Sequence, residues 1–175
     1  VKVLAETAGK SADMERQVDP SGIIGIKTGS VELEPFEGRN DVLLKDVVSL
    51  EEAPRMGCGV MELRDGASFE WTLTYDEYDI VLEGNLEIEI DGRIVSGGVG
   101  DIIYIPKGSH IHFQTPDYAK YVYTVYPANW SELWVSFWNG IFPGCRFERR
   151  PGFSLERRNL WNPILKCLNQ HYIQY

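Results

Sequence analysis

Histidine and cysteine are both scarce in this chain, three of each among 175 residues, and where they fall excludes more than their number does. Cys58, Cys145 and Cys167 are odd in number and never adopt C-x-x-C spacing, so neither a disulfide framework nor a zinc ribbon is expected. A reducing cytosol fits that usage. No apolar run approaches the ~18 residues of a membrane-spanning helix, and the first ten residues lack the apolar stretch of a secretory signal. Basic side chains are in deficit too: 17 Lys and Arg against 26 Asp and Glu give a formal net charge of −9. Residues 1–133 hold no basic stripe of the kind that neutralises phosphates, so nucleic acid is not an expected partner, and neither is a membrane. The length suits one domain with a sizeable core, or two unequal parts. A first residue that is Val rather than Met reads as a fragment of a longer protein.

What is present is β-structure. Residues 1 to about 40 are weakly patterned, broken by Asp19-Pro20-Ser21-Gly22 and Glu34-Pro35-Phe36-Glu37-Gly38, and read as a linker ending in an edge strand around residues 23–27. From Val42 the texture changes to short alternating runs between glycines. Strands are expected at 69–74, 78–82, 86–90, 101–105, 111–114 and 120–126, with Asp91-Gly92 as a hairpin turn. Strands at this spacing without helices between them predict a closed barrel or a sandwich over residues 41–133.

Two spaced motifs sharpen that reading. Glu77 and Gly84 form E-x6-G, and Gly100, Pro106 and Gly108 form G-x5-P-x-G. Together they resemble the cupin pattern, which implies an all-β double-stranded β-helix barrel. A metal-dependent cupin opens its first motif with H-x-H; here those places hold Trp71 and Leu73, or Glu70 and Thr72 in the longer spacing. The second motif's histidine position is Ile111. With imidazole gone from all three places, no tightly bound metal is expected.

The stretches Trp71 to Asp79, Val81-Leu82-Glu83-Gly84, Ile105 to Ser109, Tyr126-Pro127-Ala128-Asn129-Trp130 and Pro54-Arg55-Met56-Gly57-Cys58-Gly59 resemble the EutQ family of ethanolamine utilisation proteins, over about residues 18–133. The resemblance implies a cupin homodimer, a cytosolic role in ethanolamine catabolism, and association with shell or enzyme proteins of a bacterial microcompartment. It also implies an acetate kinase activity that makes ATP from acetyl phosphate and ADP with Mg²⁺. A non-catalytic assembly protein or a small-ligand-binding barrel is the alternative.

Glu77 and Asp79 lie two apart and so share one face of a strand. Facing inward, they would repel and at least one would hold its proton, giving a general acid and base, a Mg²⁺ site or a seat for a cationic amine. Facing outward, they are a solvated strand end. Lys107 completes the candidate catalytic set as a point charge for phosphate, or is simply solvated in its turn. The order Pro106-Lys107-Gly108-Ser109 lacks the glycine of a Walker A loop and leads into a strand. Trp71, Tyr75, Tyr104, Phe113, Tyr121 and Tyr123 are expected to fill the barrel, a minority of them lining a ligand pocket. Glu83, Glu87 and Glu89 read as an exposed face. His110 and His112 could share a metal only with a third ligand, and otherwise read as surface histidines after a turn.

At about Leu133 the composition breaks. Residues 134–175 hold six bases against two acids, Glu148 and Glu156, and three of the five tryptophans, without a sustained period. The segment reads either as a non-native extension or as a basic tail docking on the acidic barrel.

Overall fold

The computed structural model describes residues 10, 11 and 14–133. The segment 134–175 lies outside them. Among the described residues the chain forms thirteen strands: β1 Lys10–Ser11, β2 Met14–Val18, β3 Ile24–Ile26, β4 Glu34–Phe36, β5 Arg39–Asp46, β6 Gly57–Leu63, β7 Ser68–Thr72, β8 Asp76–Gly84, β9 Leu86–Ile90, β10 Arg93–Gly97, β11 Ile102–Ile105, β12 His110–Gln114 and β13 Ala119–Tyr126. No described helix is long and apolar enough to cross a membrane.

Two antiparallel sheets face each other, one ordered β10-β9-β12-β7 and the other β11-β8-β13-β6-β5-β4. Alternation sets which side chains meet between them. Along β13, Ala119, Tyr121, Tyr123 and Val125 are buried while Lys120, Val122, Thr124 and Tyr126 turn the other way. Along β8, Glu77, Asp79 and Val81 are buried and Tyr78 and Ile80 are exposed. The core between the sheets is therefore written with period 2. The expected barrel is not closed by a continuous ladder: the chain leaves β10 in one sheet and reaches β11 in the other through a glycine turn. A cupin-like sandwich of two sheets results.

Gly84, the last residue of the first motif, has φ +70, and a Cβ there would stand 2.0 Å from the Tyr118 carbonyl oxygen. Both facts require glycine at the point where β8 turns into β9.

The N-terminal part is more than a linker. The edge strand expected at 23–27 is β3, and β2 pairs with it in a small sheet with β1. Met14 and Val31 bury against Val47 and Val60 on the outer face of the six-stranded sheet. Only one residue of β2, Met14, is buried, so its sequence carries no alternating signal. Among the described residues, Tyr78, Ile80, Ile102, Tyr104 and Tyr126 on that outer face are exposed.

Candidate functional site

Glu77 and Asp79 project from β8 into the space between the sheets, at 5% and 0% exposure. The Asp79 carboxyl hydrogen-bonds with that of Glu77 and has no other partner among the described residues. Burial pushes the Glu77 carboxyl up to about 7. Burial, with the adjacent Glu77, pushes Asp79 well above the usual carboxylate range. Such a pair holds protons at neutral pH, because two charges in so dry a place would cost several kcal/mol each.

Above Glu77 lies a cavity of about 20 Å³, walled by aromatic rings that include Phe36, Phe69, Trp71, Tyr75, Phe113, Tyr123 and Trp130. That volume admits about one water-sized group. The rings hold each other in place. Trp71 and Trp130 stand edge to face at 6.4 Å, Tyr75 and Trp130 at 5.8 Å, and Phe36 and Trp71 at 5.6 Å. Trp71 Nε1 donates to Tyr75 Oη at 2.9 Å, and Tyr123 Oη donates to Asp46 Oδ1 at 2.6 Å. Tyr123 also explains Gly59, whose Cβ would fall 2.0 Å from the Tyr123 hydroxyl oxygen.

The structure therefore gathers Glu77, Trp71, Tyr75, Phe113 and Tyr123 around one cavity. Asp79 and Tyr121 are buried nearby, with Tyr121 Oη donating to Met61 Sδ. Tyr104 is a correction: it is half exposed on the outer face of the sheet, its ring tilted against Tyr78 at 4.9 Å, with its hydroxyl donating to Asp76. The pattern of β11 puts Ile103 and Ile105 inside, which turns Tyr104 out. Lys107 is also apart from the pair. It is exposed in its turn, and its backbone N–H donates to Asp76 at 2.9 Å. Phe36, Met61 and Trp130 were missed as wall residues because they come from distant segments, two of them beside turns.

The places of the absent cupin ligands are filled by apolar packing: Leu73 and Ile111 are each 1% exposed, and Trp71 wedges between Phe36 and Trp130. Among the described residues no three His, Cys, Asp or Glu side chains converge as metal ligands would. His110 and His112 lie on the outer face of the other sheet, where His110 Nε2 meets Glu70 at 2.9 Å and His112 Nδ1 meets Glu89 at 2.8 Å. Glu83 is exposed, whereas Glu87 and Glu89 are half-buried, Glu87 accepting from Gln114 Nε2 and Glu89 meeting His112 across the strands.

A second, larger hollow lies outside the sandwich. It is a cleft of about 410 Å³ between β2, the segment 45–53 and residues 128–131. Arg16 and Lys45 bring positive charge to it, and Asp46 and Glu52 bring negative charge. Arg16 donates to Glu52 at 2.6 Å, while its Nε is buried without a partner among the described residues. Ser49 donates its N–H and hydroxyl to the other Glu52 oxygen, closing the turn that forms the cleft floor. Hydrogen bonding from Ser49, helped by Arg16, holds the Glu52 carboxyl below its ordinary value. No periodic pattern announces this cleft, since its walls come from three separated segments.

Comparison with known proteins gives the chain its relatives. The sequence profile of the ethanolamine utilisation protein EutQ matches residues 1–132. A protein of Clostridioides difficile named acetate kinase EutQ is 46% identical over 127 residues, which is 69% of this chain and 80% of that protein. A protein of the same name from Salmonella typhimurium is 40% identical over 114 residues, 64% of this chain and 49% of the relative, so the chain spans about half of it. Among solved structures, that of the Clostridium difficile EutQ protein is 47% identical with a TM-score of 0.64, covering 68% of this chain and 90% of that one. The cupin domain of Schizosaccharomyces pombe Cnp3, 17% identical with a TM-score of 0.52 over 68% of this chain and 80% of its own, shares the fold alone.

Proposed function

Because this chain belongs to the EutQ family of ethanolamine utilisation proteins, we propose that it transfers the phosphoryl group of acetyl phosphate to ADP. The observation that carries this reading is the 46% identity to a relative named acetate kinase EutQ. The geometry narrows where such a reaction would run. The cavity at Glu77 admits one water-sized group, whereas the outer cleft is about twenty times larger. That difference in size supports assigning the phosphates and Mg²⁺ to the cleft rather than to the buried pair Glu77 and Asp79. Arg16 and Lys45 are the cations that would meet phosphate oxygens, and Asp46 is the carboxylate for Mg²⁺ brought in by ADP or ATP. Bound there, Mg²⁺ would neutralise charge on the phosphates. Arg16 contributes its guanidinium, and Tyr123 fixes the orientation of Asp46.

The test is ATP formation from acetyl phosphate, ADP and Mg²⁺ by protein purified from a host without its own acetate kinase. Activity that drops in Arg16→Gln and Lys45→Met supports the reading. Absence of ATP above a mock purification overturns it in favour of a non-catalytic assembly protein.

One observation favours an assembly role in either case. β11 is an edge strand whose outward residues Ile102 and Tyr104 continue the exposed apolar surface of Tyr78 and Ile80. A second copy of this chain would cover that surface and extend the sheet. Contacts with microcompartment shell or enzyme proteins, and a cytoplasmic location, belong to the same proposal, which family membership supports. Ile102→Glu should turn a dimer into a monomer in sedimentation equilibrium. A wild-type protein that sediments as a monomer would sink this part of the proposal.

A further inference from the structure

We infer that the aromatic cavity floored by Glu77 is a binding site for the ammonium group of a small primary amine. The inference does not rest on the phosphoryl-transfer reading, because it concerns a different hollow and different residues.

The hydrogen-bond inventory of the interior decides the sign of the ligand. The indole N–H of Trp71 is committed to Tyr75, the hydroxyl of Tyr123 to Asp46, and that of Tyr121 to Met61. The Tyr75 hydroxyl faces Glu77. The acidic group of the cavity is Glu77, which lines it and meets, behind it, the Asp79 carboxyl buried at 0% exposure. With only the Asp79 carboxyl and the Tyr75 hydroxyl as partners, the Glu77 carboxyl keeps lone pairs that a ligand's N–H can fill. An anion would find two carboxyl groups and few free donors. A neutral apolar group would leave the acceptors unpaired.

The walls select a cation over water. Trp71, Tyr75 and Trp130 meet edge to face, and Phe36 closes the same side, so aromatic rings wall the space there. Cages of this kind attract organic ammonium groups through cation–π interaction. Size then sets the headgroup. About 20 Å³ holds one –NH₃⁺ with its three donors, whereas a quaternary ammonium is too large and has no N–H to offer Glu77. The carbon chain of the amine would leave between Phe36, Trp71 and Trp130, of which Phe36 and Trp71 are only partly buried. On binding, Glu77 gives its proton to solvent and becomes the counter-ion. The other titratable groups facing it are Asp79, Tyr75, Tyr121 and Tyr123.

Tryptophan fluorescence and calorimetry on the full chain at pH 8 test this with methylammonium, ethanolamine, tetramethylammonium and acetate. The expected result is saturable binding of ethanolamine at about 1 mM, weaker binding of methylammonium, and none of the other two. Glu77→Gln should weaken ethanolamine binding by roughly 10-fold or more, and so should Trp71→Leu. His110→Gln, on the outer face of the other sheet, should bind as wild type. Wild-type binding should also fade as the pH is lowered below 6, a readout that needs no variant. Absence of saturable ethanolamine binding to wild type at pH 8, binding unchanged in a folded Glu77→Gln protein, or equal binding of tetramethylammonium would each overturn the proposal.

Discussion

The cavity between the sheets and the cleft outside them are separated by one wall, Trp130 together with the Tyr123–Asp46 pair, yet they differ in every property that decides an occupant. The cavity is dry, aromatic and about 20 Å³, with carboxyl groups that hold their protons. The cleft is about 410 Å³, carries both signs of charge, and keeps Glu52 ionised through Ser49 and Arg16. The lesson is that one polypeptide sets opposite behaviour in its carboxylates by their access to water and donors. Glu77 has neither in plenty, and Glu52 has both.

The largest expected effect tests the dryness of the interior. A carboxyl whose pKa rises from 4.5 to about 7 on folding makes the folded state bind more protons than the unfolded one across that interval. Stability from this group is therefore full below about pH 4.5 and is lost as the pH rises to about 7, on the order of 3 kcal/mol. Asp79, shifted the same way, extends the loss to higher pH. Urea denaturation between pH 4.5 and 8 should show that decline, and Glu77→Gln should flatten it and be more stable than wild type at pH 8. A wild-type stability that climbs across this range would mean that the pair is hydrated and that the two hollows are alike.

Next comes the cleft. Arg16→Gln and Lys45→Met should each lower kcat/KM for acetyl phosphate by roughly 10-fold or more, about 1.4 kcal/mol or more. Little change in urea midpoint is expected, since their ion pairs with Glu52 and Glu34 are partly exposed. Equal losses of activity and of stability would move these residues from chemistry to scaffolding.

The wall itself gives a smaller effect. Tyr123→Phe removes the hydroxyl that Asp46 accepts and leaves the ring in the cavity, at a cost of about 1 kcal/mol. It should lower phosphoryl transfer more than amine binding, which separates the two hollows in a single variant. The smallest effect is expected on the outer face of the other sheet. His112→Gln breaks a half-exposed pair with Glu89 and should shift Tm by no more than about 2 °C.

Much of the sandwich was legible because its strands obey period 2. β9 occupies the expected residues 86–90, and β8, β11, β12 and β13 extend or trim their expected spans by a residue or two. The inward direction of Glu77 and Asp79 was one of two readings open to the sequence, and burial of Val81 on the same face decides it. Tyr104 was misread for a related reason. Its neighbours Ile103 and Ile105 are as apolar as it is, so no alternation in type marks which face is buried. β2 was invisible because a strand with one inward residue has no pattern to read.

The sequence by itself determined the cupin-like sandwich, the loss of the three imidazole positions and the pairing of Glu77 with Asp79, since each depends on spacing along one or two adjacent strands. Tertiary structure decided what those residues face. Phe36, Trp71 and Trp130 close to form a cage only when β4, β7 and the segment after β13 meet. Arg16 and Lys45 share a cleft only when β2 packs across the outer face of the sheet. Local periodicity fixes the side of a strand on which a side chain stands, but charge, volume and water at that side belong to the neighbours that folding brings from elsewhere in the chain.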